Sequence, residues 1–267
     1  MEFAFYISKE ELLSSLDNNA TRIYYGCEFC ERLIPNLSSV ERVLEFCRER
    51  NLAFSFVTPY CTDKGLSKLK EIFTVLENQK NSPSIEVIIN DWGVVRLLKN
   101  EFPSLSPVLG RLMTKVKRGP RLLPILGYIP KKTREYYCST NLDVEAYKRV
   151  LKEFNIERVE LDNIYQGYFT KSIPRDLRVS LYMPFSFVST TRFCLTAGCE
   201  DEENFERVGI IECKRECENY TFILRSKGMP VPLIRKGNSI FSKNATPPYI
   251  LNNGLIDRVV LQPEIPN

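Results

Sequence analysis

The sequence contains no histidine in 267 residues. Without imidazole, the usual Ser-His-Asp triads and H-E-x-x-H zinc chemistry are excluded. Acid–base work falls to Asp, Glu, Lys, Tyr or Cys, and any metal must be held by sulfur and perhaps oxygen. Long apolar runs are also missing: no segment approaches the ~18 consecutive apolar residues of a membrane helix, so no membrane span is expected. The first residues, MEFAFYISKEELLSS, lack a basic n-region and an apolar h-region, which argues against a secretory signal and for a cytoplasmic protein. There is no G-x-S-x-G elbow, no P-loop and no dinucleotide fingerprint. No internal repeat, low-complexity tract or linker divides the chain, and residues 1–267 are read as a single domain.

What is present is ordinary in bulk: 43% hydrophobic, 11% aromatic and 26% charged residues, with a net charge of +4. A mildly basic balance permits an anionic ligand or RNA without requiring one; nothing points to DNA. Short continuous apolar runs at 3–7, 21–25, 52–57, 85–89, 107–111, 158–161, 179–183 and 258–261 read as strands buried on both faces. Helical periodicities at 9–16, 38–50, 65–77, 94–100 and 144–154 alternate with them. Ser8 is placed to cap the first of these, with Glu11 three residues on. Two further strands, 220–224 and 231–234, read as a pair. Strand–helix alternation predicts an α/β protein with a TIM-barrel-like parallel barrel, carrying a cysteine-rich, metal-binding insertion toward the C-terminal third.

The nine cysteines are unlike a disulfide set: the count is odd and the expected compartment is reducing. Four of them, Cys194, Cys199, Cys213 and Cys217, fall within 24 residues, in TTRFCLTAGCEDEENFERVGIIECKRECENY. Buried core cysteines are common, but these are flanked by charge at Glu200 to Glu203 and Lys214 to Glu216, which favours metal binding. The C-x4-C and C-x3-C spacings are looser than zinc-ribbon knuckles; iron–sulfur clusters take four thiolates and tolerate such spacing. Spacing alone leaves iron–sulfur and zinc both open.

TTRFCLTAGC, IIECKRECENY, the strand-terminal NDWG at Asn90, GRLMTKVKRGPR from Gly110 and VELDN from Val159, in that order, resemble the peptidase U32 family, often labelled collagenase-like. The resemblance runs from YYGCEFC to DRVVLQPEIP and is to the short form. It implies a TIM-type barrel and a four-cysteine [4Fe–4S] cluster. It also implies a part in oxygen-independent hydroxylation of a ubiquinone precursor or an RNA base, with a heteromeric U32-type partner chain. Carried over by position, the ligands are Cys194, Cys213, Cys217 and, four residues after Gly26, Cys30. Cys199 is the alternative fourth ligand and Cys27 a lesser one. A non-catalytic four-cysteine module, with zinc or a cluster as a clasp, and a peptidase, as the family label says, are the competing readings.

Other residues follow strand ends, where barrel sites collect. Asn90, Asp91, Arg111 and Asp162 are the candidate substrate-binding residues, for a small aromatic or an RNA base. Asp91 is equally suited to cap the next helix. Lys115, Lys117, Arg118 and Arg121 read as a solvated basic loop. Glu160 and Asp162 share a strand face, suiting an acid–base pair, a cation site or pairing with rim arginines. Cys47 sits on an apolar helix stripe and reads as core.

Overall fold

The computed structural model of the chain describes residues 1–16, 19–79, 85–200, 211–248, 251 and 254–266. Seven strands come first: β1 (Glu2–Ile7), β2 (Arg22–Gly26), β3 (Ala53–Val57), β4 (Glu86–Ile89), β5 (Ser106–Leu109), β6 (Arg158–Asp162) and β7 (Arg178–Met183). Then follow β8 (Phe185–Thr190), β9 (Thr221–Leu224), β10 (Leu233–Lys236), β11 (Ser239–Lys243) and β12 (Arg258–Leu261). Strands β1 to β7 and β12 close into an eight-stranded barrel, every pair parallel. Between the seventh and eighth barrel strands lies an antiparallel sheet in the order β8-β11-β10-β9. Helices α1 (Leu37–Glu49), α2 (Asp63–Glu77), α3 (Trp92–Glu101), α4 (Lys131–Cys138) and α5 (Glu145–Glu153) complete the chain. Among the described residues no helix is long and apolar enough to cross a membrane.

The continuous apolar runs divide by parity, as a strand's two-residue period requires. Ala4, Tyr6, Tyr24, Val57, Ile88, Val108, Tyr182 and Val260 point into the barrel and pack on one another. Their neighbours Phe5, Ile7, Ile23, Tyr25, Phe56, Val87, Ile89, Leu109, Leu181 and Val259 point outward into the main core under the helices. Cys47 belongs to that core, on α1.

Two expectations need correction. Ser8 does not cap a helix: residues Glu10–Ser15 form a 3-10 helix with Lys9 at its N-cap position and no side-chain cap. The Ser8 hydroxyl donates instead to Glu264 at 2.5 Å. Strands β8 and β11 and helix α4 were not foreseen, since β8 follows Pro184 directly and α4 follows Pro130. A proline is disfavoured in the interior of an α-helix but is compatible with its start, so the sequence reads as loop where the chain re-enters a helix.

The N-terminal end of the barrel is filled by charge rather than by aliphatic layers. Arg258 donates to Glu86 at 2.6 and 2.9 Å, to Glu2 at 2.6 Å and to the Tyr24 hydroxyl at 2.7 Å. Arg22 bonds Glu2 at 2.7 Å, and Ser55 donates to Glu86 at 2.8 Å. Burial pushes the Glu86 carboxyl up, but the Arg258 hydrogen bonds and charge outweigh it and bring the pKa to about 2. Deeper in, Glu160 is fully enclosed and accepts one bond, from Tyr24 at 2.9 Å. Among the described residues its other oxygen has no hydrogen bond of good geometry, the Tyr182 hydroxyl being the neighbouring donor. Desolvation dominates there, and its pKa rises to about 7 despite Arg258.

Because the folded chain holds the Glu160 proton more tightly than the unfolded chain, its contribution to stability is complete below about pH 4.5 and is lost as pH rises to about 7. Glu160→Gln should therefore be more stable than the parent above pH 7, by on the order of 3 kcal/mol at ~1.4 per pKa unit, and nearly equal to it at pH 4. Urea unfolding at both pH values measures this; an equal difference at the two would refute it.

Candidate metal centre

The C-terminal mouth of a parallel barrel is ordinarily open to substrate. Here the inserted sheet lies over it. Phe185, Phe187 and Phe241 from the sheet form a cluster with Phe29, from the loop after β2. The Phe29 ring meets Phe241 edge-on at 5.1 Å and Phe187 at 5.7 Å. Polar ties surround this contact. Phe185 N–H donates to Gln262 at 3.1 Å, and the Asn163 amide donates to the Asn244 and Thr246 carbonyls, each at 2.9 Å.

Beneath the phenylalanines sits Arg111, with no exposed surface. Its guanidinium donates to Glu28 at 2.7 and 3.0 Å, to Asp162 at 2.7 Å and to the Phe185 carbonyl at 2.9 Å. It lies 3.9 Å over the Tyr182 ring. Arg118 reaches the other Asp162 oxygen at 2.7 Å and donates to the carbonyls of Arg111 and Thr114. Asp162 also accepts from Phe187 N–H at 3.1 Å. Burial raises the Glu28 pKa although Arg111 opposes it; burial works against the charge on Arg111, but its two carboxylate partners outweigh it and raise its pKa.

These facts locate the residues expected to meet a substrate. Arg111 and Asp162 are saturated by internal partners. Asn90 is buried, donating to the Thr58 carbonyl at 2.9 Å and accepting from Leu112 N–H at 3.2 Å. Asp91 caps α3 through Gly93 N–H at 2.6 Å. Of the two acids sharing a β6 face, Asp162 pairs with arginine and Glu160 lies in the barrel below. Arg118 is no solvated loop residue but a buried ion-pair partner. Glu28 has no role in the sequence reading, and Arg118 is there assigned to a solvated loop. The available signal was a charged residue between two cysteines in one case, and a basic run interrupted by Gly-Pro in the other.

The cysteines converge beside this lid, not over the barrel axis. Cys30, Cys194, Cys213 and Cys217 line one cavity of about 310 Å³, with Ala197, Ile211, Phe193 and Gly237 among its other walls. Cys199 does not line it and faces the charges of Glu216, Glu200 and Arg235. Cys27 is buried close to Cys30 and Cys217 but is not part of the wall. None of the nine cysteines is in a disulfide. None of Asn90, Asp91, Arg111 and Asp162 lines this cavity. The acidic run from Glu200 to Glu203 lies outside the described residues except for Glu200.

Local backbone explains how the thiols are presented. Gly26 ends β2 at φ +135°, where a side chain would collide with the Val57 carbonyl, and the chain turns there into Cys27 to Cys30. The turns that carry Cys30 and Cys194 are closed by Leu33 N–H donating to the Cys30 carbonyl at 3.1 Å and Ala197 N–H to the Cys194 carbonyl at 3.0 Å. Arg215 N–H donates to the Cys213 sulfur at 3.4 Å, from a left-handed turn at φ 64°. Gly237 at φ +59° lets the β10–β11 turn approach Cys217, where a Cβ would lie 3.3 Å from the cysteine Cβ. Burial, reinforced by the neighbouring thiols, pushes Cys217 up to about 12 and raises Cys30 and Cys194.

The sulfurs surround a volume. Among the described residues, no three Cys, Asp or Glu side chains converge tightly enough to hold a single ion. A mononuclear zinc needs four sulfurs at ~2.3 Å from one point. A cubane cluster takes one thiolate at each of four irons, so its ligands stand around a space, and backbone N–H donors to sulfur suit it. Four thiols on one cavity are the number of donors that a cluster takes.

No protein-family model matches the chain, and no curated protein does. Among solved structures, that of the U32 peptidase Mk0906 is similar with a TM-score of 0.47 and 11% identity, over 100% of this chain and 94% of the other. A likeness at that level speaks to neither chemistry nor substrate.

Arg111→Ala leaves Glu28 and Asp162 buried without their shared cation. It should cost about 3–5 kcal/mol in urea unfolding, and Arg111→Lys, which keeps the charge but not the fork, should cost less. Equal stability of Arg111→Ala and the parent would show that this network does not hold the lid.

Proposed function

We propose that the chain binds a [4Fe–4S] cluster through Cys30, Cys194, Cys213 and Cys217 and serves an oxygen-independent modification of a small aromatic, such as a quinone precursor, or of an RNA base. The observation that carries this reading is the single cavity walled by four cysteines from distant parts of the chain, with a backbone N–H, that of Arg215, directed at the Cys213 sulfur. The U32 resemblance supports the same assignment. When bound, the cluster supplies one-electron chemistry at a potential set by hydrogen bonds to sulfur and by solvent exposure. The chain's own residues would hold it in a largely apolar recess. Cys30 belongs to the barrel and the other three to the insertion, so loading would also clasp the lid. Asn90, Asp91, Arg111 and Asp162 are assigned to fixing the mouth rather than to touching the substrate. A heteromeric partner of the same type, in the cytoplasm, fits this reading.

The test is anaerobic purification with iron, sulfide and zinc analysis beside the visible spectrum. About four irons and four sulfides per chain are expected, lost in Cys30→Ala and Cys217→Ala and retained in Cys199→Ala. One zinc and no iron would leave only the structural clasp. Peptide hydrolysis that survives loss of all four cysteines would favour a peptidase.

A second expectation concerns the clasp. Iron-loaded protein should melt higher than apoprotein, and the difference should vanish in Cys30→Ala, which cuts the barrel from the insertion. A loading-independent melting temperature would refute the clasp and leave the cluster assignment to the metal analysis.

A further inference from the structure

The positive charge of this protein is concentrated in one place. Residues 115–134 hold seven Lys or Arg and no Asp or Glu. The other 247 residues carry 30 basic against 33 acidic side chains, so the remainder of the molecule is slightly acidic. Arg118 is consumed by Asp162. The other six, Lys115, Lys117, Arg121, Lys131, Lys132 and Arg134, are all exposed. Among the described residues Lys131 is the one of these six with a carboxylate nearby, Glu135 at 4.0 Å.

Between the two basic groups runs Leu122-Leu123-Pro124-Ile125-Leu126-Gly127-Tyr128-Ile129, in which no residue is buried. Ile125 is 45% and Tyr128 91% exposed. The five aliphatic side chains neither belong to the hydrophobic clusters nor pack against them. Leu122, Leu123, Leu126 and Ile129 are half-buried, yet a strip that lies outside every core cluster and is rimmed by cations is a candidate interaction surface.

The strip is tied to the barrel. Arg118 anchors its start to Asp162, its first half is the end of the 3-10 helix Pro120–Ile125, and α4 follows it. At the far end, Phe169 N–H bonds the Cys138 carbonyl at 2.9 Å, and Thr140 bonds Ser172. A partly exposed apolar strip with cations on both flanks is complementary to an anionic lipid surface: aliphatic side chains enter the acyl boundary, tyrosine sits at the headgroup level and Lys and Arg meet the phosphates. A single-stranded nucleic acid would ask instead for aromatic platforms among the cations, whereas this run has five aliphatics to one ring. We infer that residues 115–134 form a docking surface for an anionic membrane. The inference does not depend on the metal centre.

The experiment is flotation of the full chain with vesicles of phosphatidylcholine alone or mixed with phosphatidylglycerol. Binding is expected to the mixed vesicles and not to phosphatidylcholine alone. Lys131→Gln with Lys132→Gln should weaken it on the order of 25-fold, about fivefold per cation. Leu123→Ser with Ile125→Ser should weaken it at least about tenfold. Both variants alter side chains outside the core, so an unchanged melting temperature serves as the folding control. Absence of the parent from anionic vesicles, or vesicle binding unaltered in both variants, overturns the inference. It is equally overturned if the parent shifts single-stranded RNA, or self-associates in light scattering, through these residues while ignoring the vesicles.

Discussion

One buried guanidinium holds the molecule in the arrangement that matters. Arg111 joins three segments that would otherwise have no reason to stay together: the loop after β2 through Glu28, the end of β6 through Asp162, and the start of the inserted sheet through the Phe185 carbonyl. A fully desolvated cation is tolerable only when its partners are fixed and its donors are used. Here Arg118 and Phe187 N–H satisfy the rest of Asp162, and aromatic rings cover the guanidinium. The geometry of the cysteines follows from this joint. Cys30 stands two residues beyond Glu28, and the other three thiols ride on the insertion that Arg111 secures.

Both ends of the barrel are closed, in different ways. A branched ion network fills the N-terminal end, where Arg258 and Arg22 balance Glu86 and Glu2. The antiparallel sheet closes the C-terminal end over the phenylalanine cluster. With the mouth covered, one recess lies between the loop after β2 and the insertion, where the four cysteines meet. This is a physical reason why strand-end polar residues, ordinarily first candidates for a barrel site, here serve the joint. Arg111 and Asp162 bond the inserted sheet from below, Asn90 ties neighbouring loops and Asp91 caps α3.

The barrel itself was legible in the chain. Eight short apolar runs with helical stretches between most of them give the topology, because a strand covered on both faces has no polar alternation to hide it. The inserted sheet was half legible: β9 and β10 are apolar enough to be read, whereas Phe185–Thr190 and Ser239–Lys243 are mixed in polarity and owe their pairing to each other. Asp91 illustrates a residue with two equally good local readings. The sequence places it both at a strand end and before a helix, and only the bond to Gly93 N–H separates them.

By itself the sequence determined that any metal here is held without imidazole, that the cysteines cluster late in the chain, and that strands and helices alternate; these are properties of composition and of local period. The tertiary structure alone decided which cysteines face one another, turning Cys199 away and bringing Cys30 across, and which carboxylates Arg111 would find. Those contacts span 83 residues to Glu28 and 51 to Asp162. Local propensity carries no information over such separations, because the partner of a buried charge is set by where closed elements bring the chain back together.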